Sequence, residues 1–340
     1  MKKITVGVIG AGRIGQLHAN NLLRSDVYEL KILADVYTDH LKETNFAKNI
    51  QNITNDVEVI FEDPDIDAVF ICSSTDTHVD YIKRAARCNK HVFCEKPISL
   101  DVVLTKEALK VVHQCGVKLQ VGFNRRFDKH FRSVRKLIQE DKIGKLHVVK
   151  ITSRDPQIPP ESYIKRSGGM FRDMTIHDFD MVRYLTGSEV AEVHVKAANL
   201  IDPVFSKYDD VDTAIITLIL HNGAMAVIDS SRQAVYGYDQ RIEVFGSNGA
   251  IEVDNEVETN IKVSTKNSIS INHPKLFFLE RYRDTYIAEI NEFAHVIDNK
   301  AELSCSGEDS YQAELLAMAA YKSWKENRTI SMSEILEVYT

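Results

Sequence analysis

The stretch that most restricts this chain is its beginning. An apolar, β-branched run, Ile4–Ile9, ends in Gly10-Ala11-Gly12-Arg13-Ile14-Gly15. Apolar residues at Ile14, Leu17, Leu22 and Leu23 then continue near a 3.6-residue period. A strand that passes through G-x-G-x-x-G into a helix predicts a βαβ unit and a parallel sheet. Each glycine has its own task. Gly10 permits a tight turn, Gly12 lets backbone approach a pyrophosphate, and Gly15 lets helix and strand pack closely. The helix N-terminus presents free amides and a partial positive charge, so Arg13 and Ile14 belong to the same phosphate cradle.

A second apolar strand, Glu29–Ala34, adds weight to the motif, because it ends in Asp35, 20 residues after Gly15. An acid there suits the ribose 2′-hydroxyl of NAD. No Arg or Lys adjoins it to pair a 2′-phosphate, and Asp35 would repel one, so the expected cofactor is NAD and not NADP. The alternation continues through strand Ala68–Ser73, helix Val79–Cys88 with Thr77 as N-cap, strand His91–Cys94, helix Val102–Cys115 and strand Lys118–Gly122. This is the α/β pattern of a doubly wound, Rossmann-type sheet. Ligands in such sheets sit beyond the carboxyl ends of strands, so Ser73, Ser74, Thr75 and His78 are expected to border the cofactor.

After Gly122 the pattern changes. A helix near Asp128–Asp141 leads into β-rich segments at Leu146–Ser153, Ala191–Leu200, Thr213–His221, Ala224–Ser231, Arg241–Phe245 and Ala250–Val253. Asn222-Gly223 is a strong hairpin signal between two of them. The expectation is a Rossmann domain at 1–122 and an α+β domain with a mostly antiparallel open sheet at 123–340. Asp173 and His177 lie four apart in Gly168–Asp180. On one helix they would share a face. A carboxylate beside an imidazole suits proton transfer near neutral pH, and it also suits an ordinary surface or capping pair. Two long helices are expected near the end, Phe277–Phe293 and Ser310–Lys325.

Composition narrows the classes. At 340 residues the chain exceeds what one core usually serves. A net charge of -7 argues against nucleic acid. No segment has the run of apolar residues that a membrane span needs. Five cysteines without a C-x-x-C pair suit a reduced, cytoplasmic protein with no structural metal.

Glu95-Lys96-Pro97 at a strand end, after the glycine motif and before Asp-x-x-x-His, resembles the glucose–fructose oxidoreductase/inositol dehydrogenase/MocA family. The resemblance covers essentially the whole chain. Its inositol 2-dehydrogenase group is the most similar, through Gly122–Asp128, Ser153-Arg154-Asp155-Pro156, Gly168–Leu185 and Tyr236-Gly237-Tyr238-Asp239. The resemblance implies NAD-dependent oxidation of myo-inositol to 2-keto-myo-inositol. It implies Lys96, Asp173 and His177 as catalytic residues, with His177 the general base, and places Glu95 and Lys96 beside the cofactor as well. Arg126, Asp155 and Tyr236, together with those three, would contact the polyol. It further implies a homotetramer built through the second domain's sheet. Two other readings stay open: a dehydrogenase of another inositol isomer or sugar, and a catalytically silent NAD(H)-binding sensor.

Overall fold

The structure is a computed structural model that describes residues 3–42 and 46–339. The chain forms two compact units, Met1–Phe127 with Asp284–Glu314, and Asp128–Arg283 with Leu315–Thr340.

Six parallel strands make the sheet of the first unit: β1 (Ile4–Ile9), β2 (Tyr28–Ala34), β3 (Asn52–Thr54), β4 (Ala68–Ile71), β5 (His91–Cys94) and β6 (Leu119–Val121). Their order is β3-β2-β1-β4-β5-β6. The order reverses between β1 and β4, so their carboxyl ends border the crevice where open α/β sheets take ligands. Both strands are buried along their whole length, as a sheet covered on two faces requires. The edge strand β3 is polar and three residues long, and its sequence carries no strand pattern.

The helix after β4 runs Thr75–Arg87 with Ser74 at the N-cap. It starts earlier than the sequence suggests. Thr77 lies inside its first turn and donates back to the Ser74 carbonyl at 2.7 Å. The expected helix Phe277–Phe293 is two helices, Phe278–Arg281 and Arg283–Ile297. The second brings Ile290, Phe293 and Ala294 into the core of the first unit, beside Val6, Val8, Leu33, Phe70 and Phe93. The Tyr28 hydroxyl donates to the Ile290 carbonyl at 2.7 Å. A division at residue 122 therefore omits a returning segment of the first unit. The periodicity of an amphipathic helix says that it covers a sheet, not which one.

The second unit holds β7 (Leu146–Arg154), β8 (Val190–Ala198), β9 (Thr213–Leu220), β10 (Met225–Ser231), β11 (Asp239–Gly246) and β12 (Gly249–Val253). A separate hairpin, β13 (Lys262–Ser264) and β14 (Ile269–Ile271), precedes β15 (Ile330–Ser331). The large sheet has the order β12-β11-β7-β10-β9-β8-β15. Only β7 and β10 pair in parallel. β9 alternates cleanly, with Ala214, Ile216, Leu218 and Leu220 buried and Ile215 and Ile219 exposed. The helix Ile176–Thr186 packs on β7 and on the helix Lys129–Gln139. Asp128 caps the latter, accepting from the amides of His130 and Phe131 at 2.9 and 3.2 Å.

Candidate active site

In the first unit the glycine turn has the tolerances its motif demands. A Cβ on Gly10 (φ +96°) would lie 2.5 Å from the Ser73 amide nitrogen, and one on Gly15 would lie 1.9 Å from the Gly10 carbonyl oxygen. A Cβ on Gly12 would meet nothing within 4 Å. Packing fixes the first two. Gly12 instead leaves open the approach to the helix that starts at Arg13 and Ile14, where a phosphate would meet free amides. Asp35 comes directly after β2. Its Oδ2 accepts from the Ala11 amide at 2.6 Å and its Oδ1 from the Tyr37 amide at 2.8 Å. The carboxylate is thus tied to the glycine turn, and a carboxylate oxygen can accept more than one donor. Val36, Tyr37, Thr38, Ile53 and Asn55 line an open cleft beside it. These residues fit an NAD whose pyrophosphate lies on the helix and whose ribose meets Asp35.

Ser73, Ser74 and Thr75 form the turn from β4 into its helix, and Ser73 Oγ lies 2.6 Å from Thr77 Oγ1. His78 has a different placement from that expected. It is buried, with Nδ1 2.9 Å from the Pro97 carbonyl oxygen and Nε2 3.1 Å from that of Ser73. Its ring is spent on joining the loop after β4 to the loop after β5. Burial lowers its pKa, against the pull of the two carbonyls.

Glu95 also turns inward. Its Oε1 lies 2.9 Å from His18 Nε2, which is 3.8 Å from Glu289 Oε1. By residue type and spacing this trio could ligate a cation. It lies among the rings of Phe93 and Tyr286, 4.9 and 5.8 Å from that of His18. Burial drives the Glu289 carboxyl well above the usual range, and the neighbouring Glu95 adds to the rise. Lys96 is half-buried, and the Lys96–Pro97 peptide is cis. Arg126 is buried, donating to the Ser304 carbonyl at 2.6 Å and to Asp309 Oδ1 at 2.9 Å.

In the second unit the parallel pairing of β7 and β10 sets two strand ends side by side. Asp155 comes after β7 and Arg232 after β10; the Asp155 amide donates to the Ser231 carbonyl at 2.9 Å. The buried Arg232 guanidinium reaches Asp173 Oδ2 at 3.0 Å and Asp155 Oδ2 at 3.4 Å. The Tyr163 hydroxyl donates to Asp173 Oδ1 at 2.7 Å. Both oxygens of Asp173 are therefore held. Arg232 supplies positive charge to two carboxylates at once. The charge of Asp173 in turn pushes the Tyr163 phenol well up, so Tyr163 remains a donor.

Asp173 and His177 do not share one helix. Asp173 ends the short helix Met170–Asp173, and His177 lies in the first turn of Ile176–Thr186, with a break at Met174 and Thr175. Gly169 opens the first of these helices at φ 86° and ψ 170°. The Met170 amide donates to Asp210 Oδ1 at 2.7 Å. Tyr236 donates to Asp239 Oδ2 at 2.5 Å and accepts from Arg154 Nη1 at 3.0 Å. So the structure gathers Asp155 and Asp173 around Arg232. Arg232 and Tyr163 escaped the sequence reading. Nothing local marks them: Arg232 gains its place from β7 and β10 being parallel neighbours, and Tyr163 from the fold that sets the helix Glu161–Ser167 against Asp173.

An oxidoreductase-family model described by its NAD-binding Rossmann fold matches residues 4–123, and a GFO/IDH/MocA C-terminal domain model matches residues 131–252. The chain is 50% identical over 322 residues to the uncharacterized oxidoreductase YrbE of Bacillus subtilis, covering 95% of this chain and 94% of that one. It is 45% identical over 331 residues to a myo-inositol 2-dehydrogenase of Thermotoga maritima, covering 97% and 99%. It also resembles the crystal structure of a scyllo-inositol dehydrogenase from Lactobacillus casei with bound NAD(H) and scyllo-inositol. There the TM-score is 0.90 and the identity 31%, covering 98% of this chain and 100% of the other. With its nucleotide-binding and C-terminal halves both matched, this chain belongs to the GFO/IDH/MocA family of NAD-binding oxidoreductases.

Proposed function

We propose that this chain catalyses the NAD-dependent oxidation of myo-inositol to 2-keto-myo-inositol. The observation that carries the reading is Asp173, fixed by Tyr163 and Arg232 four residues before His177, in a chain similar over nearly its whole length to a myo-inositol 2-dehydrogenase. Bound NAD supplies the hydride acceptor, the nicotinamide ring. His177 takes the hydroxyl proton as general base, a role worth about 10²–10⁴-fold. Lys96 stabilises the developing alkoxide charge. Asp173, anchored on both oxygens, favours the protonated His177 that the step leaves behind. Asp155, Tyr236 and Arg126 join these three as polyol contacts. Gly10, Gly12, Arg13, Ile14, Gly15, Asp35 and Ser73–Thr75 hold the NAD.

A panel of inositol isomers and hexoses with NAD tests this, read as NADH formation at mildly alkaline pH. Turnover is expected with myo-inositol. Turnover of hexoses with no inositol would reject the substrate. His177→Ala should lower kcat by about 10²–10⁴ and leave NAD affinity nearly intact. A second reading is oxidation of scyllo-inositol, favoured by the likeness to the Lactobacillus casei enzyme. The same panel separates the two.

We also read the protein as a cytoplasmic homotetramer. The free cysteines suit a reducing compartment. Phe245, Val148, Met225 and Ile219 are aligned by register on adjacent strands, forming an apolar row across the sheet. Phe245 and Met225 are nearly half exposed, and a sheet face of this kind suits a second copy of the chain.

A further inference from the structure

Lys96 sits in a loop whose downstream backbone is held by one buried carboxyl group. Glu314 Oε1 accepts from the Ile98 amide at 3.0 Å, from the Ser99 amide at 3.5 Å and from Ser310 Oγ at 2.8 Å. Its Oε2 accepts from Thr105 Oγ1 at 2.6 Å. Thr105 is in the helix Val102–Cys115, and Ser310 lies one turn before Glu314 in the helix Gly307–Glu326. The carboxyl group thus bridges the loop, the helix after it and the returning helix. Pro97, Ile98 and Ser99 are all buried. On the other side of the loop His78 Nδ1 meets the Pro97 carbonyl oxygen at 2.9 Å.

A buried carboxyl group is costly unless its oxygens are satisfied, and a leucine in its place would carry no such cost. What a leucine would not do is accept from two successive amides. Those bonds fix the peptide planes on either side of Ile98, directly after Lys96-Pro97. Upstream, the Glu95 amide is fixed on the Ile71 carbonyl at 2.9 Å. Lys96 has a long side chain, so a small rotation of its backbone moves the ammonium group by much more. A misplacement of about 1 Å in a reacting group can cost about 10²-fold in rate.

We propose that Glu314 is a positioning residue for Lys96: it anchors the Ile98–Ser99 amides and so sets where the lysine ammonium is presented. The proposal rests on the reading of Lys96 as the residue that meets the reacting hydroxyl. Glu314 touches neither substrate nor cofactor in this scheme.

The test compares Glu314→Leu, which removes the acceptor, with Glu314→Gln, which keeps one on the amides and can donate to Thr105. Steady-state kcat and NADH affinity by fluorescence titration are the readouts. Glu314→Leu should lower kcat by about 10–100-fold with NADH affinity within about twofold of the parent. Glu314→Gln should recover kcat to within about threefold of the parent, because the amide acceptor is restored. Unchanged kcat in Glu314→Leu overturns the proposal. So does a parallel loss of NADH affinity, or an equal loss of kcat in Gln and Leu. Should the leucine variant not fold, Glu314→Asp takes its place, withdrawing the acceptor by one methylene. Its kcat should fall several-fold with NADH affinity retained, and parental kcat overturns the proposal. Lys96→Met is measured alongside. Full turnover there rejects the role of Lys96 itself, whereas a dead Lys96→Met beside a fully active Glu314→Leu rejects only the anchoring by Glu314.

Discussion

Glu314 and Glu256 show how surroundings split one functional group into two behaviours. Burial raises the Glu314 carboxyl to about 7, and its four donors pull back only part of that rise. Glu256 is less buried, and burial raises it too, but Lys275 and His130 at 2.8 and 2.9 Å bring it down to about 2. The signs of their pH linkage are opposite. A raised folded pKa means that Glu314's contribution is fully present below its unfolded value near 4.5, and is lost as pH rises through about 7. Glu256, depressed in the fold, contributes above its unfolded value and loses that contribution as pH falls toward about 2. Urea unfolding of the wild type and Glu314→Gln at about pH 5 and about pH 7.5 isolates the first effect, with the wild type expected to lose about 2 kcal/mol relative to the variant across that interval. A constant difference would mean that Glu314 ionises normally.

The helix pair that carries Asp173 and His177 depends on its first residue. Gly169 occupies a backbone region that is essentially reserved for glycine, and a Cβ there would lie 3.0 Å from Asp210 Oδ1. That oxygen receives the Met170 amide which starts the helix. Gly169→Ala is expected to cost about 1–3 kcal/mol in chemical denaturation. It should also lower kcat more than NADH affinity, since the displaced element carries Asp173 and not the nucleotide site. Equal stability and turnover would show that the turn adapts. Gly169 also marks where reading from sequence ends. The run from β1 to Asp35 was legible because its constraints are local: a turn, a helix start and a strand end within a few residues of one another. β9 and β10 were legible because Asn222-Gly223 joins two strongly apolar runs. The break at Met174–Thr175 was not, because neither residue is a Gly or Pro breaker and a single β-branched Thr is too common inside helices to mark an interruption. Nor was the Arg232–Asp173 pair at 3.0 Å, which requires a parallel pairing of strands that the sequence separates widely.

For the whole molecule, the apolar row on the large sheet makes assembly the property to test. Met225 is 48% exposed at the centre of that row, paired with Ile219 on one side and Val148 on the other. Met225→Glu would place a charge where a second copy would bury it, at a cost of several kcal/mol. Light scattering after size exclusion should then report a smaller particle than the parent, and an unchanged mass would remove this face from the assembly. The returning segment has a consequence for how the protein is made. The strands β1–β6 leave the ribosome first, yet Ile290 and Phe293, which close over Phe70 and Phe93, emerge only after all of Asp128–Arg283. At roughly 5–20 residues per second the unfinished sheet waits on the order of ten seconds for its cover. During biosynthesis the nucleotide-binding unit is thus begun before the second unit and still open when most of the second has emerged. In that interval its aromatic surface, and not any property of the finished enzyme, is what a chaperone would meet.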